Sequence, residues 1–223
     1  MTAARLAEAL AGPQPRLDRV ALAVASLDDG PAQAALDDAA VLAELDRWGA
    51  RVAARAGGSV YAGMDALEAL LVGELGFAGD RDDYDAPENS FLPRVLARRR
   101  GLPILLSVVY LEVGRRAGLP LHGVALPGHF VVAYPTGRTG AVVIDPFDRA
   151  RILTRADLEA IAARAGTALT PALLEPAPVA SIAARMLRNL AASYRRRGRT
   201  DKLAEVAALA AVVDRAVDDH RVN

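Results

Sequence analysis

The sequence contains no cysteine, and this absence excludes several kinds of chemistry. Without a thiol, the chain cannot form a disulfide, use a thiolate nucleophile or build a zinc site on sulfur. Three histidines, His122, His129 and His220, are the remaining nitrogen ligands. We therefore expect no metal centre and no cofactor.

The sequence also has no net charge, few aromatic residues and no long apolar run. Lys and Arg together number 27, as do Asp and Glu, so no net field attracts nucleic acid or an anionic membrane. No stretch approaches about 18 uninterrupted apolar residues, and the first residues lack the pattern of a signal peptide. We expect a cytoplasmic protein that binds neither nucleic acid nor membrane.

Apolar residues are abundant, at 52%, while aromatic residues make up only 4%, which favours helices packed through small side chains. Apolar residues at helical spacing predict helices over 17–27, 36–56 and 62–75. Trp48 lies on the apolar face of the second helix, where a lone tryptophan is more often a core anchor than a stacking platform. These helices form a predicted N-terminal region, residues 1–79.

The next stretch is first acidic and then basic. Its aspartates lack the ordered spacing of a calcium-binding EF-hand, so we interpret it as a solvated loop. Asn89, with Ser90, is predicted to cap the N-terminus of a short helix over 91–100. The arginines at 98–100 could clamp an anion, with Arg100 as a candidate binding residue. They could also form a cationic last turn, which we favour.

A helix predicted over 102–117 carries apolar residues all round, so it must be buried on most sides. Pro103 suits its first turn, where a missing N–H group costs nothing, and Gly118 suits its end.

After this helix, β-branched apolar runs predict strands of an antiparallel sheet, with a loop over 136–140. If Pro135 faces Ala141, Asp145 falls opposite Val131 and shares a face with His129. A slip of one residue would put Asp145 and His129 on opposite faces.

The remainder of the chain is predicted to be helical. Thr154 caps a helix that ends at about Ala165, and a proline-containing linker follows. Residues 179–197 and 200–219 form a predicted helical hairpin of the tetratricopeptide kind. We divide the chain into the N-terminal region, a core over 80–170 and the hairpin over 171–223, packed as one globular unit.

Between Asp83 and Asp148 the sequence resembles the SirB-type branch of the transglutaminase-like superfamily. The resemblance implies an α+β fold with a papain-like core, in which a buried central helix packs against a small antiparallel sheet, with helices at both ends. The matching motifs are Asp83-Tyr84, Asn89-Ser90-Phe91-Leu92, Val95-Leu96, Arg99-Arg100-Gly101-Leu102-Pro103, Leu106-Ser107, Gly118-Leu119, Leu126-Pro127-Gly128-His129-Phe130 and Ile144-Asp145-Pro146-Phe147.

For enzymes of this kind the resemblance implies a catalytic cysteine at the start of the buried helix, with a histidine and an aspartate on adjacent strands. His129 and Asp145 match the last two, and the cysteine position falls on Pro103. Proline cannot act as a nucleophile. The start of the helix still offers a dipole and free N–H groups.

Two hypotheses follow. In the first, the chain is a non-catalytic binding or regulatory protein, a pseudoenzyme, and its partner is a protein or a peptide. His129 and Asp145 then form a structural or ligand-contacting hydrogen bond. Asn89 is a candidate amide donor to a bound carbonyl in this case, although its predicted capping role already explains it.

In the second hypothesis, the chain is a hydrolase or acyltransferase in which Ser107 is the nucleophile, His129 the base and Asp145 its orienting partner. Ser107 lies one helical turn beyond Pro103, roughly 6 Å along the axis. A serine there is expected to bond back to the carbonyl of Pro103. We favour the first hypothesis. His122 and His220 receive no role.

Overall fold

The computed structural model describes residues 2–12, 14–30, 37–137 and 140–222, apart from the side chains of Val60 and of residues 218–222. Leu36, in a predicted helix, and Arg138 and Thr139, in a predicted loop, lie outside this set.

The described residues of the N-terminal region form four α-helices: α1 (Thr2–Leu10), α2 (Leu17–Ala25), α3 (Asp38–Ala56) and α4 (Val60–Glu68). The last three confirm predicted helices. α1 was not predicted, although its buried Leu6, Ala9 and Leu10 have helical spacing and pack into the core.

α4 continues into a π-helical turn, Ala69–Glu74, where the N–H of Leu75 donates to the carbonyl of Leu70 at 2.9 Å. The wider turn lets both Leu70 and Leu71 face the core.

Two short strands, β1 (Ala78–Gly79) and β2 (Arg100–Gly101), pair in parallel, and helix α5 (Leu92–Arg98) lies between them in the chain. This helix is shorter than predicted because Arg99 adopts a left-handed conformation, with φ of 57°. The chain then leaves the helix and enters β2.

The central helix α6 (Pro103–Arg116) is buried from its first residue to Gly114, which confirms the prediction. Pro103 occupies its first turn, and Gly118 follows its end with φ of 74°. α3 packs so closely on α6 that a Cβ atom at Gly49 would overlap the side chain of Arg116.

Four antiparallel strands form the sheet in the order β3-β4-β5-β6: β3 (His122–Val124), β4 (Val131–Thr136), β5 (Gly140–Asp145) and β6 (Arg151–Leu153). Pro135 pairs with Ala141, which confirms the predicted register. β6 was not predicted, since three residues are too few to show a period.

Helix α7 (Arg155–Arg164) begins at Thr154, as predicted, in a capping box with Asp157. Helices α8 (Val179–Arg196) and α9 (Leu203–Val222) form the predicted hairpin, and its tetratricopeptide kind stays a prediction.

One hydrophobic core runs through the N-terminal helices, α6, one face of the sheet and the α8–α9 hairpin. Trp48 is buried in it, as predicted, with its ring centroid 5.7 Å from that of Phe77. A second, smaller core lies on the opposite face of the sheet, beneath α7.

The three-part division of the chain stays a prediction, and the main core crosses all three parts. None of the described helices is long and apolar enough to cross a bilayer.

An ionic network centred on the buried side chains of Asp18, Glu112 and Arg116 joins α2, α3 and α6. The carboxylate of Asp18 accepts hydrogen bonds from Arg16 at 2.9 Å and from Arg116 at 2.7 Å, and Arg116 also pairs with Asp46 and Glu112. Burial alone would raise the pKa of Asp18, but the hydrogen bonds from the two arginines lower it to about 2. Asp18 is therefore ionised in the folded protein at all but the lowest pH.

We expect Asp18→Asn to reduce the free energy of unfolding at pH 7 by roughly 3 kcal/mol, because it removes one partner of a buried ionic network. The folded pKa lies below the ordinary value of 3.8, so this stabilisation is present above about pH 4 and is lost towards pH 2. Urea unfolding of both proteins at several pH values measures the difference. Asp38→Asn, at an exposed ion pair with Arg5, is the control and should change stability less. A difference that stays constant down to pH 2 would contradict this account.

Candidate functional site

His129 and Asp145 form a hydrogen-bonded pair at one edge of the sheet. His129 lies two residues before β4, Asp145 ends β5, and His129 Nε2 is 2.7 Å from Asp145 Oδ2. The other carboxylate oxygen, Oδ1, accepts the N–H of Phe147 at 3.0 Å. Asp145 is buried, whereas 20% of the His129 side chain is exposed. The predicted juxtaposition on one face is therefore confirmed. Nδ1 of His129 has no hydrogen-bond partner in the described part of the chain.

Two hydrogen bonds to one carbonyl stabilise the turn that carries His129. The carbonyl of Leu126 accepts the N–H of His129 at 3.1 Å and Nη1 of Arg185 at 2.8 Å. Gly128 has a φ of 71°, a left-handed conformation that glycine adopts without a steric penalty.

Arg185 reaches this turn from α8, and its guanidinium lies 5.8 Å from the ring centroid of Phe130. Burial lowers the pKa of Arg185, and the nearby charge of Arg188 acts in the same direction. Sequence reasoning missed Arg185, since 59 residues separate it from Leu126 and no local pattern links them.

A cleft of about 430 Å³ opens beside His129. The turn, the end of β5 and one face of α7 form its walls. Phe147 lies between the guanidinium of Arg81, 5.2 Å from its centroid, and the ring of Tyr84, 5.9 Å away. A Cβ atom at Gly79 would overlap the Phe147 ring, so glycine is needed there for this wall to form.

The charged side chains of the cleft are mostly paired with each other. Asp148 accepts from Arg81 at 2.9 Å and from Arg151 at 3.0 Å, and Arg151 also reaches Asp157 at 3.1 Å. The hydroxyl and N–H groups of Thr154, together with Arg151, lower the pKa of Asp157 to about 2. The carboxylate of Asp157 is thus ionised, and the carboxylates of both Asp148 and Asp157 are already bound by arginines.

Ser107 is fully buried, and its hydroxyl donates to the carbonyl of Phe130 at 3.4 Å. The predicted bond from Ser107 to the carbonyl of Pro103 is wrong. α6 lies against the sheet, and the residue just before β4 supplies the acceptor instead. Ser107 does not line the cleft, and neither does Pro103, which is buried at the first position of α6.

Asn89 is not the predicted helix cap. Phe91 occupies that position, without a side-chain bond, and α5 begins one residue later than predicted. The buried amide of Asn89 donates to the carbonyls of Asp83 and Tyr84, while its oxygen accepts from Arg98 at 2.9 Å. Its side chain braces the preceding loop and does not line the cleft.

The arginines at 98–100 do not form an anion clamp. Arg98 pairs with Asp80, Arg99 pairs with Glu44, and Arg100 donates to the carbonyls of Gly76 and Arg99. Arg100 therefore lies outside the cleft. Only Arg98 matches the favoured interpretation of a cationic last turn, since Arg99 and Arg100 lie beyond the end of α5.

The other histidines lie away from this pair, or outside the description. His122 is on β3 and lines a different groove, and burial lowers its pKa. The side chain of His220 is not described. The described residues hold no group of three or more potential metal ligands.

Comparisons with known proteins place this geometry in a family context. The profile of the transglutaminase-like superfamily matches residues 39–188, more than half of the chain. A UPF0162 protein of Xylella fastidiosa strain Temecula1 is 40% identical over 153 residues, which covers 65% of this chain and 53% of that protein. The chain thus spans about half the length of this relative.

Two further relatives cover smaller parts. A UPF0162 protein of Pseudomonas aeruginosa is 35% identical over 119 residues, 52% of this chain and 43% of its own. The human F-box only protein 21 is 34% identical over 142 residues, 60% of this chain but 22% of its own. No solved structure matches the chain.

We expect Arg185→Met to loosen the His129 turn while filling a similar volume. The carbonyl of Leu126 loses its charged donor, which should lower the free energy of unfolding by about 1 kcal/mol. Hydrogen exchange at the His129 amide should accelerate, and Arg185→Lys should restore part of its protection. Arg188→Met, at an exposed position on the same helix, is the matched control. Unchanged exchange at His129 in the Met variant would contradict the proposed link between α8 and this turn.

Proposed function

The chain belongs to the transglutaminase-like superfamily, and on that premise we propose that it is a non-catalytic binding or regulatory protein. In this proposal it is a pseudoenzyme of the SirB-type branch that keeps a cleft and has lost the reaction. One observation carries the proposal: the described residues lining the cleft beside His129 include no thiol, hydroxyl or amine side chain. The pair that would activate a nucleophile is present without a nucleophile beside it.

The start of α6 supports the same conclusion. The family resemblance assigns the nucleophile position to Pro103, whose side chain has no atom that could attack a carbonyl. No cysteine elsewhere in the chain could replace it. In this proposal, the loss of the reaction rests on this one position.

The remaining pair is suited to binding. Because Nε2 of His129 is bound to Asp145, Nδ1 remains to exchange a hydrogen bond with a ligand, and the carboxylate holds the ring in one orientation. A peptide bond or a side-chain amide offers both a donor and an acceptor for such a nitrogen. We therefore propose a protein or peptide as the ligand, and we retain the predictions of a cytoplasmic location and of no nucleic-acid or membrane partner.

The serine-enzyme hypothesis is weaker on this geometry. The Ser107 hydroxyl is enclosed in the core, and its hydrogen bond goes to the carbonyl of Phe130. A catalytic serine needs its hydroxyl within hydrogen-bond reach of the base and open to a substrate.

The direct test is turnover of glutamine-containing peptides and of activated esters, together with labelling by a fluorophosphonate. We expect the wild-type protein to show no turnover above that of His129→Ala and no labelling of Ser107. Ser107→Ala is the matched variant for the alternative. Turnover that both Ser107→Ala and His129→Ala abolish would overturn the proposal and establish the serine enzyme.

Pro103→Cys should create amidase or acyltransfer activity, because a thiol at the start of α6 would meet the positive end of the helix dipole. This activity requires the smaller side chain to open the start of α6 to the cleft, which the buried Pro103 does not line in this structure. The dipole should lower its pKa, so iodoacetamide should alkylate it at a lower pH than free cysteine. Pro103→Ala and the double variant Pro103→Cys/His129→Ala are the controls, and both should remain inactive. A folded Pro103→Cys protein with an unactivated thiol and no turnover would contradict the assignment of Pro103 to the nucleophile position.

A further inference from the structure

Arg164 differs from the other charged residues of the cleft. It lies on the wall formed by α7, is exposed, and has no carboxylate partner among the described residues. Arg81 and Arg151 are both held by Asp148, and Arg151 also by Asp157. Arg164 is thus the cleft arginine whose donors remain unused.

An arginine in a last helical turn can simply complement the helix dipole. The position of Arg164 in the cleft indicates a further role, in contacting a ligand. Asp157, Ala160, Ile161 and Arg164 follow one another at helical spacing and line the same cleft as the His129 turn. The two alanines at 160 and 165 leave space along this wall for a ligand to approach the guanidinium.

We propose that the cleft binds a peptide through its free C-terminal carboxylate, with the carboxylate on Arg164 and an adjacent amide on Nδ1 of His129. This inference rests on the proposed binding function and names its ligand class. The planar guanidinium can donate two parallel hydrogen bonds to a carboxylate. The volume of about 430 Å³ falls within the range of small-molecule sites, about 300 to 1,000 Å³.

The charges of the cleft favour a singly charged group. Counted without His129, the three lining arginines, Arg81, Arg151 and Arg164, balance the three lining aspartates, Asp145, Asp148 and Asp157. A phosphate carries a second negative charge, which these carboxylates would repel. A carboxylate needs only the one unpaired guanidinium.

The experiment is an NMR titration of the full chain with N-acetyl-alanyl-alanine, with the C-terminal amide of the same peptide, and with inorganic phosphate. We expect the acid to shift resonances of the His129 turn and of α7, and the amide to bind at least tenfold more weakly. Arg164→Gln should weaken binding of the acid about tenfold, because a charge-assisted pair is lost. Arg188→Gln, outside the cleft, should leave it unchanged. His129→Ala should weaken the acid and the amide alike.

The outcomes separate this inference from the proposed function. Equal binding of acid and amide, or unchanged binding by Arg164→Gln, would overturn the carboxylate site while the peptide-binding cleft survives. Phosphate that binds more tightly than the acid, in an Arg164-dependent way, would overturn the singly charged ligand. If neither peptide binds at millimolar concentrations, both the carboxylate site and the peptide-binding function are wrong.

Discussion

The burial of α6 on every side is the constraint on which the remaining structure depends. A helix that is apolar all round cannot face water, so it must be covered by other elements. The N-terminal helices, the sheet and α8 supply that cover, and one hydrophobic core joins them. The Asp18–Arg116 ion pair also fixes how α2 is placed against α6, because a buried charge requires a partner at the right position.

The candidate site is a consequence of that arrangement and not a separate feature. One face of β4 packs in the same core as α6, and His129 lies two residues before the strand. Phe130, the residue after His129, links this turn to the core, since its ring is buried in the core and its carbonyl accepts a hydrogen bond from Ser107. The same packing that orients His129 thus also occupies the serine hydroxyl. The sheet holds His129 and Asp145 together without a contribution from Pro103.

Sequence reasoning succeeded where a local pattern has one structural solution. The all-round apolar run could only be a buried helix, and the β-branched runs around a polar turn led to the correct pairing of Pro135 with Ala141. It failed where the partner of a polar group lies far along the chain. Asn89 has the residue type of a helix cap, but its amide is used by carbonyls of the preceding loop. The hydroxyl of Ser107 donates to the carbonyl of Phe130, just before β4, and no spacing within α6 reveals this acceptor.

The sequence by itself determined the central helix and the absence of a thiol nucleophile, and it offered the register that unites His129 with Asp145 as one of two. These follow from periodicity and residue type, which act over a few neighbouring positions. Only the tertiary structure decided which charges of the cleft are already paired, that Arg185 holds the His129 turn, and that Arg164 has no carboxylate partner among the described residues. Side chains from distant segments meet there, and their pairing depends on distances that the order of residues does not contain.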